Sequence, residues 1–187
     1  MSCRALSLTT APWRAAAARP SARRGGWTTL PRISAPVDLL VVSFGHNDAN
    51  RTSRGTLCPG GCLRRKPAPF WDAARSHGAV CLFASPVAMR EFDGASVCHP
   101  SFAAYREAMR AFAAEVGAPF IDLGAATAAA NTALGAERCK ARYMWVGAKQ
   151  DNAHQQNAGA CRTAQAFVQQ LLQDTTPALD VLRASFK

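Results

Sequence analysis

Two short stretches of this sequence hold residue types able to move a proton or stabilise an oxyanion. Asp151-Asn152-Ala153-His154 sets a carboxylate three residues before an imidazole. A histidine can act as a general base, and a carboxylate within hydrogen-bond range fixes its tautomer and stabilises the imidazolium. Gly45-His46-Asn47-Asp48 sets a side-chain amide donor, Asn47, within a glycine turn. Each motif alone is ordinary. An Asp and a His three apart usually form a solvated pair, and Gly, Asn and Asp together usually only turn the chain. At the end of one sheet they would suit acyl transfer, with the amide facing the charge that develops.

The elements around them place both motifs where such chemistry occurs. Asp38 to Phe44 is a continuous apolar run ended by Gly45, the pattern of a strand buried on both faces of a parallel sheet. Residues 50–66 are rich in Gly, Pro and Arg and read as a loop. Phe70 to His77 suits a short helix stopped by Gly78, and Ala79 to Ala84 is a second buried strand broken by Ser85-Pro86. Phe102, Tyr105, Met109, Phe112 and Val116 make one apolar stripe, which predicts a helix over about Ser101 to Val116. Ser101 is its expected N-cap and Gly117 its C-cap, and Pro119 forbids continuation. Phe120 to Leu123 gives a third strand, 124–134 an Ala-rich helical segment, and Ala158 to Gln173 a last helix with Ala164, Phe167, Val168, Leu171 and Leu172 inward. Strands alternating with helices predict an α/β fold with a parallel sheet. Ligands of such sheets bind beyond the carboxyl ends of the strands. Gly45–Asp48 directly follows a strand, and Asp151–His154 precedes the last helix.

Composition narrows the function classes. The chain has 187 residues, 49% hydrophobic and 18% charged, an ordinary globular balance for one domain. The net charge of +10 suggests nucleic acid until it is mapped. Residues 1–37 hold six arginines and no carboxylate, while 38–187 carry sixteen basic and twelve acidic groups. The excess therefore lies in a low-complexity leader, not on a folded basic face, and nucleic acid is not an expected partner. No apolar run approaches the ~20 residues that span a bilayer, so no membrane partner is expected. The leader is expected to be disordered. It is Arg-rich, Ser/Thr-rich and acid-free like an organelle transit peptide, and lacks the apolar stretch of a secretory signal. Seven cysteines leave at least one unpaired within the chain, and Cys58-Pro-Gly-Gly-Cys62 could close a small loop. Cys58, Cys62, His77 and Cys81 fit no standard zinc spacing, and Cys81 reads as a buried strand residue. No metal and no cofactor are expected.

Taken in order, the segments resemble the SGNH/GDSL-type esterases, in the rhamnogalacturonan-acetylesterase-like branch. Gly45-His46-Asn47-Asp48 after Val41-Val42-Ser43-Phe44 resembles the third conserved block, and Ser85-Pro86-Val87-Ala88-Met89-Arg90-Glu91-Phe92 resembles a strand-end segment of that branch. Tyr105 to Met109 and Gly117 to Leu123 continue it, and Asp151–His154 followed by Gly159-Ala160 resembles the fifth block. The likeness covers about residues 38–173. It implies a three-layer α/β/α, flavodoxin-like fold and an ester hydrolase acting on an acetylated carbohydrate or another small ester. It also implies roles: His154 as general base, Asp151 as the residue orienting it, Asn47 as oxyanion donor, and Gly45, His46 and Asp48 as structural. His77 and His99 match no block and read as loop or surface residues.

The family's Gly-Asp-Ser nucleophile block and its second, glycine-bearing block do not appear. Ser2, Ser7, Ser21 and Ser34 precede the likeness, and none lies in a Gly-Asp-Ser context. The expectation is a domain over 38–187 incomplete on its N-terminal side, and an impaired esterase or a non-catalytic carbohydrate-binding relative. Localisation stays open between secretion, implied by the branch, and an organelle, suggested by the leader.

Overall fold

The computed structural model describes residues 39–46, 49, 67–94, 96–184 and 186. The expected leader, Cys58, Cys62, Asn47 and Asp48 lie outside the described residues.

Three parallel strands form the sheet: β1 (Leu39–Val42), β2 (Val80–Ala84) and β3 (Phe120–Ile121), in the order β1-β2-β3. Leu39 pairs with Val80 and Val42 with Phe83, while Phe83 pairs with Phe120. Helices α1 (Ala68–Ser76) and α2 (Ala103–Val116) connect the strands. Successive β2 side chains point to opposite faces, as a strand requires. Cys81 and Phe83 pack with Phe70 and Ala74 of α1 and Met109, Phe112 and Ala113 of α2. Leu82 and Ala84 pack with Ile121, Leu123, Leu171 and Leu179 on the other face. β2 is thus covered on both sides, which is why it reads as an unbroken apolar run, whereas β1, expected to be buried on both faces, leaves Val41 44% exposed.

After β3 come α3 (Leu123–Leu134), a one-turn helix α4 (Ala136–Cys139), and an antiparallel hairpin of β4 (Tyr143–Val146) and β5 (Lys149–Gln155). Then follow the long helix α5 (Asn157–Gln173) and the short α6 (Asp180–Ala184).

Three local expectations change. Ser101 does not cap α2: Phe102 occupies that position in a left-handed conformation, and the Ser101 hydroxyl instead accepts the Met89 N–H at 2.9 Å. β3 ends at Ile121 because the Asp122 side chain accepts the Ala125 N–H and starts α3. On α5, Ala164 and Leu172 face solvent, whereas Leu171 is buried. The second strand of the hairpin, β5, built largely from Gln, Asn, Asp and Lys, has no strand-like composition to announce it.

Candidate active site

Asp151–His154 lies just before the last helix, as expected, and forms a bulge within β5. Met144 pairs with Asp151 and Tyr143 with Gln155, so residues 152–154 have no partners in the ladder. A bulge of this kind turns side chains out of the sheet and re-aims them. Asp151 organises it as an Asx-type turn: Oδ1 accepts the backbone N–H groups of Ala153 (2.8 Å) and His154 (2.9 Å). Its other oxygen, Oδ2, lies 2.7 Å from His154 Nδ1. A carboxylate can only accept, so Nδ1 carries the proton in the neutral ring and Nε2 is left as the base. The backbone N–H of His154, then that of Ala153, hold the Asp151 carboxyl well below the usual carboxylate range, and the His154 ring adds to the effect. Asp151 therefore stays anionic wherever the imidazole is neutral. Lys149 Nζ, 3.7 Å from Oδ2, is a more distant second partner.

The geometry leaves the imidazole open. The His154 side chain is 79% exposed and Asp151 20%. His99 and Asp93 form a second pair, also at 2.7 Å, so distance alone does not single out His154. What differs is the surroundings. Gly45 and His46 follow the carboxyl end of β1, and His46 is packed edge-on against Phe102 with ring centroids 4.7 Å apart. Burial lowers the His46 imidazole pKa, and the charge of His154 lowers it further. His154 is thus near enough for its charge to be felt at His46, in the segment after β1. Gly45 is required there: its φ is +143°, and a Cβ would meet Pro86 Cγ at 2.9 Å. Asn47, the expected oxyanion donor, lies outside the described residues.

The hairpin is fastened to the sheet's carboxyl end by buried polar contacts. The Tyr143 hydroxyl donates to Ala88 O at 2.7 Å and accepts from Asn131 Nδ2 at 2.8 Å. The Arg90 N–H donates to Asn152 O at 2.8 Å. Arg90 Nη1 and Trp145 Nε1 both donate to Asn152 Oδ1, at 3.2 and 2.9 Å.

The profile of the GDSL-like lipase/acylhydrolase family matches residues 7–145. Rhamnogalacturonan acetylesterase RhgT of Bacillus subtilis (strain 168) is 33% identical over 136 residues, 68% of this chain and 57% of that protein. The chain belongs to the GDSL-like lipase/acylhydrolase family. It spans little more than half the length of that curated relative.

Two solved structures share the fold. The Bacillus subtilis protein YXIM superposes with a TM-score of 0.65 and 23% identity, over 75% of this chain and 38% of that one. A catalytic mutant of Axe2, an acetylxylan esterase from Geobacillus stearothermophilus, does so with a TM-score of 0.50 and 19% identity, over 72% and 59%. The α/β architecture with a parallel sheet is therefore shared with these two proteins. The family profile stops at residue 145, ahead of the bulge.

The other candidates of the sequence have local roles. His77 is exposed at the end of α1, its Nδ1 within 2.9 Å of Ala73 O. Cys81 is buried in β2, and among the described residues no three His, Cys, Asp or Glu side chains are grouped to hold a metal. No helix among the described residues is long and apolar enough to cross a membrane. No motif points to Trp145, while Arg90 and Asn152 lie in two segments that the family resemblance marks without giving either residue a role.

Proposed function

We propose that this chain carries the acid–base part of an ester-hydrolysing site, acting on O-acetyl groups of a carbohydrate. The observation that carries the reading is the Asp151–His154 pair, with Nδ1 held by an anionic carboxylate and Nε2 turned to solvent. In this reading His154 Nε2 takes the proton of an attacking hydroxyl as its oxygen bonds to the acyl carbon. The same proton then goes to the departing alcohol oxygen as the ester C–O bond breaks. Asn47 supplies its amide to the oxyanion, a kind of donor worth about 3–4 kcal/mol. The names of the acetylesterase relatives support an acetyl ester on a carbohydrate.

Because the sequence contains no Gly-Asp-Ser, turnover is expected to be slow. Hydrolysis of p-nitrophenyl acetate tests the reading. His154→Ala should lower the rate that remains, by less than a complete triad would lose because triad members act as a unit, while His99→Ala should leave it unchanged. Equal loss in both variants, or in neither, contradicts the assignment. A wild-type rate no higher than buffer favours the second reading, a non-catalytic relative that retains only the carbohydrate crevice.

A further inference from the structure

We propose that Arg90 is a positioning residue for His154, acting through Trp145 and Asn152; the inference rests on the acid–base reading above. Residues 152–154 leave the β4–β5 ladder, so their backbone groups need partners from elsewhere. Arg90 supplies one through its own N–H, 2.8 Å from Asn152 O. Its guanidinium lies 4.7 Å from the centroid of the Trp145 ring and spends its donors on neutral oxygens: Nε (3.1 Å) and Nη2 (2.9 Å) on Ala136 O, and Nη1 on Asn152 Oδ1. The Trp145 indole N–H shares that last acceptor. No described carboxylate lies within salt-bridge distance of Arg90.

A cation stacked on an indole and spent on three hydrogen bonds to uncharged oxygens fixes geometry rather than neutralising charge. What it fixes is Asn152, between Asp151 and His154. With Asn152 held, the Asx-type turn keeps its shape and Nδ1 stays 2.7 Å from the carboxylate. Lysine could not do the same, since one ammonium cannot present a planar fork to Ala136 O and Asn152 Oδ1 together.

The consequence is a tautomer preference, read without any substrate. Long-range 15N–1H NMR of the neutral imidazole in the full chain should show the Nδ1–H form of His154 in excess. Arg90→Met and Asn152→Ala should each reduce the ratio of Nδ1–H to Nε2–H by about threefold, the scale of a lost exposed pair. Arg90→Lys should not restore it. A merely structural role would lower the melting temperature and leave the ratio of the folded protein alone. Should Arg90→Met not fold, Asn152→Ala and Trp145→Phe decide the matter. An unchanged ratio in the folded variants, with Asp151→Asn abolishing the preference, overturns the role of Arg90 and keeps the acid–base reading. No Nδ1–H preference in the wild type overturns both.

Discussion

Charge placement at single residues decides how this protein responds to pH. Burial alone would raise the Asp122 carboxyl, but hydrogen bonds from Arg106, Ser85 and the Ala125 N–H, with the Arg106 charge, hold it at about 2. Arg106 reaches it at 2.6 Å, Arg110 makes a second ion pair, and the Ser85 hydroxyl donates at 2.9 Å. A carboxylate favoured in the folded state contributes its full stabilisation above its unfolded pKa near 3.8. That contribution, on the order of 2 kcal/mol, is lost as pH falls through about 2. Asp122→Asn should therefore destabilise the protein at neutral pH and flatten the fall in stability between about pH 4 and 2. Urea melts across that range check it, and a variant with the wild-type pH slope would contradict it. The residues proposed to carry chemistry were legible for a similar reason. Asp151 and His154 are polar groups in a fixed spacing, whereas Arg90 and Asn152 act through contacts that no spacing encodes.

At the scale of elements, the sheet was readable and the hairpin was not. Val80 to Ala84 is apolar because both faces of β2 are covered, so composition and structure agree there, whereas β1 is only half-covered and leaves Val41 exposed. Lys149 to Gln155 is a strand of polar residues held by Tyr143, Arg90 and Trp145, a case where tertiary contacts override propensity. The Ser101 cap failed for a related reason, its hydroxyl being taken by Met89. The junction of hairpin and last helix is tight. A Cβ on Gly159 would meet Arg142 O at 2.2 Å, and that carbonyl already accepts the Gln156 N–H at the start of α5. Gly159→Ala should cost about 1–3 kcal/mol as the helix is pushed off, measurable by thermal or urea unfolding. A loss within error would mean that the helix start shifts freely.

Over the whole molecule, burial separates the cysteines by reactivity. Burial pushes the Cys81 thiol up to about 12, so almost no thiolate exists in the folded chain. Cys98 and Cys139 are buried as well, and Cys161 is exposed on α5. Among these four, iodoacetamide should label Cys161 in the native protein and the other three only after unfolding. Native labelling of Cys81 at the rate of Cys161 would contradict the three-layer packing. Family membership rests on the match over residues 7–145, while the proposed site draws on two segments about a hundred residues apart. Sequence order could name those segments but not measure their approach.

That approach can be measured directly by NMR titration of the histidine Cε1 protons in the full chain. Since the charge of His154 helps to lower the His46 pKa, His154→Gln should move the His46 midpoint upward. His99→Gln should leave it in place. A His46 titration indifferent to residue 154 would mean that the two segments do not share a site.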